Sequence, residues 1–269
     1  MIPKLQDILN LLDEMAPFSM AEEWDNSGLQ VGRLSRKVKR VLVALDPTIK
    51  AVKYASDRKA QLLLTHHPLI FKPLSCINPE IYPGDVVNEA LKKDISIIAV
   101  HTNLDAVKGG INDILARLFG LKDVKALQKN EGSDDDREGM GRIGDLSRPM
   151  KLSGVTEIVK EALGAERLMV MGPGEMRIRR VAVVGGSGGG MALQASRKGA
   201  DLLVTGDIKH HEALAAESLG LALIDGGHFY TERAALNFFA DFLREKLKER
   251  GWDVVAETYE DEKEPMRYE

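Results

Sequence analysis

The most restrictive feature of this sequence is a regular alternation of short apolar runs with amphipathic helical patterns. The apolar runs lie at 38–46, 61–65 and 96–100, and the helical patterns lie at 51–60, 86–94 and 111–120. This order is typical of buried strands that are joined by crossover helices. The sequence therefore predicts an α/β fold with mostly parallel sheets.

The same order of elements returns in the second half of the chain, at 179–184, 191–200, 201–205, 221–225 and 233–247. Setting 39–67 against 179–207 without a gap gives nine identities in 29 positions. Self-similarity of this kind indicates an internal duplication. We predict one domain of two related lobes that face each other: a first lobe at 1–120, a connecting segment at 121–178 and a second lobe at 179–269.

Two polar segments interrupt or end this pattern. Residues 130–141 are acidic and contain glycine, which favours a solvated loop, with a flexible lid as the alternative. Residues 257–269 carry six acidic against two basic side chains. We expect this tail to fray or to lie on the surface.

Composition excludes several classes of protein. With 37 Lys and Arg against 41 Asp and Glu, the chain has a net charge of −4, and binding to a nucleic-acid backbone is not expected. The single cysteine, Cys76, excludes a disulfide framework and a multi-cysteine metal site. The acidic residues Asp7, Asp13 and Glu14 are untypical of a signal peptide, and no apolar run approaches the roughly 20 residues of a membrane span. We expect a cytoplasmic protein that does not bind membranes.

Histidines mark one edge of the predicted sheets. All six fall at or soon after a predicted strand end: His66, His67, His101, His210, His211 and His228. In open α/β sheets, ligands bind beyond the carboxyl ends of the strands. The pattern therefore predicts a binding site there, in the form of either a metal site or a purely polar crevice.

Two carboxylates accompany the histidines. Asp105 follows His101 by four residues, and Glu232 follows His228 by four residues at the start of a predicted helix. That spacing aims both side chains at one point, although Glu232 alone is also typical of a first-turn acid. Imidazole and carboxylate ligands suit zinc, iron, manganese, cobalt or nickel. Because adjacent side chains such as His66 and His67 point apart in a strand, we expect them to serve two ions about 3.5–4 Å apart.

A glycine run follows the first strand of the second lobe. Residues 181–193 combine a strand, several glycines and a helix, an arrangement in which backbone amides can bind a phosphate. The candidate phosphate-binding residues are Gly185, Gly186, Ser187 and Gly188. The run is not a P-loop, and the glycines can equally serve a close approach of the backbone to the facing lobe.

Seven motifs in order along the chain give it a resemblance to a known family. They are EEWDNSGLQVG (22–32), LLLTHHPLIF (62–71), HTNLDA (101–106), GMGRIGDL (139–146), GGSGGG (185–190), GDIKHHEA (206–213) and GGHFYTE (226–232). The set resembles the GTP cyclohydrolase 1 type 2 homologues, also called NIF-three-like proteins, in their short form without an inserted domain.

The resemblance implies a duplicated α/β fold, a dinuclear metal centre between the lobes, and a toroidal homohexamer built as a trimer of dimers. It assigns the two divalent metal ions to His66, His67, Asp105, His228 and Glu232. It leaves His101, His210 and His211 as proton-transfer or cavity-lining groups, with Asp25 and Asn26 shaping the crevice that takes a nucleotide-like substrate.

Three functions are compatible with these residues. The first is a metal-dependent hydrolase that opens a purine ring with release of formate. The second is a metal-binding scaffold or regulatory protein without turnover. The third is a dimetal phosphoesterase, which the same ligand chemistry would support.

Overall fold

A computed structural model describes residues 1–266 of the chain. In this part the strands are β1 (Gly28–Val31), β2 (Arg40–Ala44), β3 (Leu62–Thr65), β4 (Ser96–Ala99), β5 (Lys122–Lys129), β6 (Gly139–Lys151), β7 (Met169–Met171), β8 (Arg177–Ser187), β9 (Leu202–Gly206), β10 (Ala222–Asp225) and β11 (Val255–Thr258). The α-helices are α1 (Leu5–Met15), α2 (Ile49–Asp57), α3 (Gly84–Lys92), α4 (Thr102–Ala106), α5 (Ile111–Leu118), α6 (Leu152–Leu163), α7 (Ala192–Arg197), α8 (His210–Ser218) and α9 (His228–Glu249). None of the helices in this described part is both long enough and apolar enough to cross a bilayer.

The chain folds into two compact units. Unit 1 comprises Met1–Leu104 and Leu236–Glu269, and unit 2 comprises Asp105–Ala235. This grouping differs from the predicted lobes, because residues 105–178 belong to unit 2 and the C-terminal part returns to unit 1. The physical reason is strand pairing: β11 joins the sheet of unit 1 beside β2, and β6 joins the sheet of unit 2 beside β8.

Unit 1 is built on a five-stranded sheet in the order β1-β4-β3-β2-β11. Its three inner pairings are parallel, and β1 runs antiparallel to β4 at one edge. Strands β3 and β4 are buried over their whole length, as expected for strands with helices on both faces. The core on one side of the sheet joins Leu42 and Leu63 to apolar residues of α2 and α3.

Unit 2 is built on a six-stranded sheet in the order β5-β6-β8-β9-β10-β7. Only β8, β9 and β10 are parallel to one another, so the prediction of mostly parallel sheets is wrong for this unit. The antiparallel strands come from the segment 121–178, which the sequence analysis left as a connection. Its alternating pattern was obscured because β5 buries few side chains.

The two units share a topology. In each, three parallel strands lie side by side, and the strand that precedes them in the chain pairs antiparallel at one edge, β1 with β4 and β7 with β10. The register is equivalent too, because Val41 pairs with Leu62 and Val181 pairs with Leu202, each residue shifted by 140. The side chain before β3 and the one before β9 make equivalent hydrogen bonds. Gln61 accepts from the backbone amides at 39 and 40, and Asp201 accepts from those at 179 and 180.

The C-terminal tail is tied to the end of strand β2 as far as it is described. The Tyr259 amide donates to the Val43 carbonyl, and the Glu262 carboxylate accepts the amides of Leu45 and Asp46, each at 2.8 Å. The expected fraying is therefore wrong for this stretch. Residues 267–269, which also belong to the predicted tail, lie outside the described residues.

A buried arginine organises the turns of unit 2. The Arg142 side chain is fully buried, and its Nε donates to Asp113 Oδ1 at 2.9 Å. The other nitrogens donate to four carbonyl oxygens, those of Ala106, Val107, Gly139 and Gly141. Burial acts to raise the pKa of Asp113, but the charge and hydrogen bond of Arg142 outweigh it and hold that pKa below its usual range.

We expect Arg142→Met to lower the free energy of unfolding by about 3–5 kcal/mol, because it removes the donor to four carbonyl oxygens and leaves the buried Asp113 with only the more exposed Arg137 as an ion-pair partner. The matched control is Arg180→Met, since Arg180 pairs with Asp145 at 2.8 Å but is 46% exposed. Loss of that surface pair should cost under about 1 kcal/mol. Chemical denaturation followed by circular dichroism measures the free energy of unfolding of both variants. An equal loss in the two variants would contradict the structural role of Arg142.

Candidate metal site

Three histidines of unit 1 lie just beyond the carboxyl ends of neighbouring parallel strands. His66 and His67 directly follow β3, and His101 follows β4. The backbone ladder continues past the strand ends, because the amides of His66 and His67 donate to Ala44 O (3.2 Å) and Leu45 O (3.0 Å). The main chain of these histidines is therefore held in register with the sheet.

A fixed acceptor oxygen faces the Nδ1 atom of both adjacent histidines. His66 Nδ1 is 2.9 Å from the Val100 carbonyl oxygen, and His67 Nδ1 is 2.8 Å from Asp46 Oδ1. Since a carbonyl or carboxylate oxygen accepts, the proton of each neutral ring resides on Nδ1. The lone pair of Nε2 is then the one available to a ligand, as in histidines that bind metals.

The three imidazoles of unit 1 converge on one region. Their ring centroids are 5.1 to 5.6 Å apart, and one nitrogen of each lies within 4.8 Å of the other two. Although His66 and His67 are adjacent in the chain, a nitrogen of each lies within 4.8 Å of the other, so both could contribute to one group of ligands. The structure also adds His101, which the sequence analysis assigned to proton transfer, to this group of candidate ligands.

Asp25 is the carboxylate that orients His101. Its side chain is fully buried, and Oδ1 accepts from His101 Nδ1 at 2.7 Å while Oδ2 accepts the hydroxyls of Thr102 and Ser27. Burial acts to raise the pKa of Asp25, but the hydrogen bond and attraction of His101, with the two hydroxyls, outweigh it and hold the pKa well below its usual range. An ionised acceptor thus keeps His101 in the Nδ1-protonated tautomer.

Unit 2 carries a histidine–carboxylate pair at the start of α9. His228 Nε2 is 3.2 Å from Glu232 Oε1, one helical turn away as predicted, and Glu232 is buried. His228 Nδ1 is 2.6 Å from Asp207 Oδ2. With its Nδ1 proton directed at Asp207, the neutral ring turns a lone pair towards a carboxylate. A metal ion held by both side chains would accept the Nε2 lone pair and balance the charge of the carboxylate.

Strain supports a functional role for Asp207. This residue follows β9 and has a φ of +55°, in the left-handed region that side chains other than glycine rarely adopt. Such a conformation costs on the order of 1–3 kcal/mol and is found preferentially at functional sites. The strain places the carboxylate against His228.

The glycine run packs against the same pair. A Cβ on Gly186 would overlap Glu232 Oε1 and lie 3.2 Å from His228 Nε2, and the φ of Gly186 is +62°. Only glycine combines this conformation with this approach. Gly186 therefore makes room for the side chains of α9 within unit 2.

Amides that the sequence analysis assigned to a phosphate have acceptors inside unit 2. The donors Gly185, Gly186 and Gly188 reach Asn112 Oδ1, Thr231 Oγ1 and Thr205 Oγ1 at 2.8, 3.0 and 2.8 Å. Ser187 is exposed at the end of β8. In unit 1 the predicted substrate residue Asn26 donates instead to the Ile70 carbonyl at 2.6 Å.

The remaining predicted residues are placed as follows. Asp105 is buried in α4, and its carbonyl accepts from Asn112 Nδ2 at 3.0 Å. His210 and His211 are exposed in the first turn of α8, with ring centroids 5.6 Å apart. Within the described residues of each unit, the groups of candidate ligands include none of these three side chains.

Two carboxylates that orient histidines, Asp46 in unit 1 and Asp207 in unit 2, were not predicted from the sequence. A signal was present, because each lies at or soon after a predicted strand end, as the histidines do. What the sequence did not disclose was the pairing of each carboxylate with a histidine 21 residues away.

The donor set fits a divalent metal ion. Neutral imidazoles with oriented Nε2 atoms and a buried carboxylate are the ligands of zinc, iron, manganese, cobalt and nickel in proteins. The Nδ1 acceptors supply the outer shell that such ligands usually have. The described residues thus contain histidine and glutamate groups that could hold a metal ion.

A known protein family matches nearly the whole chain. The family model described as Duf34/NIF3 (NGG1p interacting factor 3) matches residues 3–265. The chain belongs to the Duf34/NIF3 family. This match confirms the family resemblance that was predicted from the sequence motifs.

Relatives in this family cover nearly the whole chain. A GTP cyclohydrolase 1 type 2 homolog of Clostridium perfringens is 34% identical over 98% of this chain and 99% of its own length. A Helicobacter pylori protein named GTP cyclohydrolase 1 type 2 is also 34% identical, over 95% of this chain and 96% of its own.

Solved structures of the same fold include a Bacillus cereus protein related to NIF3, with a TM-score of 0.95, 27% identity and full coverage of both chains. A Staphylococcus aureus hypothetical protein has a TM-score of 0.93 and 31% identity over 99% of both chains. The Duf34/NIF3 fold thus extends over both units.

We expect Asp25→Asn to weaken metal binding about 10–100-fold, because it removes the charge that orients His101. The measurement is titration of chelator-stripped protein with Zn²⁺ and Mn²⁺ by calorimetry. Asp57→Asn, at the exposed end of α2, is the matched control and should bind like the parent. An unchanged affinity in Asp25→Asn would refute its role.

Gly186→Ala should displace the Glu232 carboxylate and lower the affinity for metal about 10–100-fold, as expected for Asp25→Asn. The matched control is Gly190→Ala, where a Cβ would meet nothing within 4 Å. Elemental analysis after dialysis measures retained metal per chain. Equal retention in both variants would mean that the close approach to Glu232 has no bearing on metal binding.

Proposed function

We propose that this protein is a metal-dependent hydrolase that opens the ring of a purine nucleotide, in the manner of a GTP cyclohydrolase. The observation that carries the proposal is the set of four histidines whose Nδ1 atoms each face an acceptor oxygen at 2.6–2.9 Å. Support comes from the names of relatives, which associate this family with GTP cyclohydrolase activity.

Each unit contains proposed metal ligands. His66, His67 and His101 would hold metal from unit 1, and Asp105, His228 and Glu232 from unit 2, with two divalent ions per chain. The ions, when bound, supply Lewis acidity and lower the pKa of a bound water towards neutrality. Which metal ions bind depends on the availability of each metal as much as on these ligands.

The side chains of the protein perform the remaining tasks. Asp25, Asp46 and Asp207 keep the imidazole rings oriented, so that no reorganisation of the ligands is needed when substrate binds. His210 and His211 lie exposed in the first turn of α8, and histidine is the side chain that most often serves as a general acid or base, which suits them to carry protons to a leaving group. Hydrolysis at C8 of a guanine ring then releases formate.

We also propose that the two units arose by duplication and that the chain assembles into a toroidal homohexamer. The equivalent register at a shift of 140 residues and the equivalent antiparallel edge strands support the duplication. The hexamer rests on family membership, and light scattering of the purified protein tests it by molar mass.

The decisive experiment combines metal analysis with a formate assay. We expect about two ions per chain and formate release from GTP that a chelator abolishes. Release of p-nitrophenol from bis(p-nitrophenyl) phosphate without formate would instead favour a phosphoesterase. Retained metal without either activity would favour a scaffold.

Two variants test the assignment of roles. Glu232→Gln should lose metal and formate release together, because a buried ligand charge is removed. His210→Ala should keep its metal and lose about 10²–10⁴-fold in rate, the usual contribution of a general acid or base. Glu217→Gln, exposed on α8, is the control that should match the parent. Metal loss in His210→Ala would contradict the division of roles.

A further inference from the structure

Two aromatic side chains are exposed to solvent beside His101 of unit 1. The Trp24 side chain is 58% exposed and Phe71 is 48% exposed. Their ring centroids are 5.7 Å apart, and they lie 6.0 and 6.3 Å from the His101 ring. Large exposed rings are unfavourable unless a binding partner covers them, so their position beside the imidazoles requires an explanation.

The loop that carries Trp24 is tied down on both sides of the indole. Before it, the Glu22 amide donates to Thr102 Oγ1 at 3.0 Å. Behind it, the Asp25 carboxylate accepts from His101 and Thr102. The exposed indole is therefore presented by a backbone that is fixed to the same residues that orient His101.

Phe71 is tied to the same loop. Asn26 Nδ2 donates to the Ile70 carbonyl at 2.6 Å, and the Ile70 amide donates to Gln30 Oε1 at 3.1 Å. These bonds hold the residue before Phe71 from both its amide and its carbonyl. The two rings thus form a prearranged surface, which lowers the entropic cost of binding a rigid ligand.

We propose that Trp24 and Phe71 form a stacking platform for the planar heterocycle of the substrate, an inference that rests on the proposed hydrolase function. The interplanar angle of 52° and the 5.7 Å spacing leave no room for a base between the rings. The base stacks instead on the open face of Trp24, with Phe71 as a side wall and His101 at its edge. Every nucleobase has a π-face, so this platform selects a planar ring rather than one particular base.

A heterocycle fits this surface better than a second protein chain does. The rings border the imidazole of His101, which the buried Asp25 carboxylate holds, whereas the centre of a protein interface is depleted of charged residues. Other exposed apolar side chains lie further along the chain, at Ile77, Ile81 and Tyr82. The experiments below also distinguish a base bound at Trp24 from a subunit contact there.

The first experiment uses the fluorescence of Trp24. The chain has two tryptophans, and Trp252→Phe leaves Trp24 as the single indole. Stacking should quench its emission saturably with GTP and with guanosine, and ribose 5-phosphate should produce no quenching. Quenching by ribose 5-phosphate alone, or by none of the three, would overturn the platform.

The second experiment compares Trp24→Ala with Trp24→Phe by equilibrium dialysis against GTP. We expect Kd to rise about tenfold in the alanine variant and to change less than about threefold in the phenylalanine variant, since stacking survives on any aromatic ring. An unchanged Kd in Trp24→Ala would overturn the proposal. If light scattering also showed a smaller assembly, the rings would belong to a subunit contact.

The two proposals fail in different ways. Loss of guanosine binding in Trp24→Ala, with no formate from the parent protein, would retain the platform and refute the hydrolase. Formate release with the same kcat/KM in Trp24→Ala and the parent would retain the hydrolase and refute the platform.

Discussion

The hydrogen bond at Nδ1 of the site histidines is the interaction on which the rest of the site depends. A free imidazole exchanges its proton between two nitrogens and rotates about two bonds, so it has no defined ligand direction. Here one backbone carbonyl and three carboxylates accept the Nδ1 proton of His66, His67, His101 and His228. Each ring then has one tautomer and one orientation, and its Nε2 lone pair becomes a directed ligand.

The sheets bring the partners of these hydrogen bonds together. Holding them in place lowers the stability of the protein locally. Parallel strands end at one edge, which brings the residues after β2, β3 and β4 together in unit 1 and those after β9 and β10 together in unit 2. The costs are local: a buried carboxylate at Asp25 and a left-handed backbone at Asp207. Gly186 admits Glu232 where any larger residue would exclude it.

The residues that could bind metal do not by themselves determine which substrate is selected. Imidazole and carboxylate ligands serve ring opening, phosphoester hydrolysis and a structural role equally well. The surroundings of the ligands distinguish among these functions, because a planar base and a simple phosphoester differ in the surface they need. In unit 1 the exposed rings of Trp24 and Phe71 lie beside His101, and the loop that carries Trp24 also carries the Asp25 that orients His101.

The sequence by itself determined what depends on neighbours along the chain. Strand and helix periodicity, the histidines at strand ends and the helical spacing of His228 and Glu232 are local patterns, and all are visible without a structure. Tertiary structure alone decided which groups meet. Asp25 and His101 are 76 residues apart, and strand order brings them together. The same holds for β11, whose pairing with β2 returns the C-terminal part of the chain to unit 1. Periodicity reports which side of an element is buried, but not which element covers it.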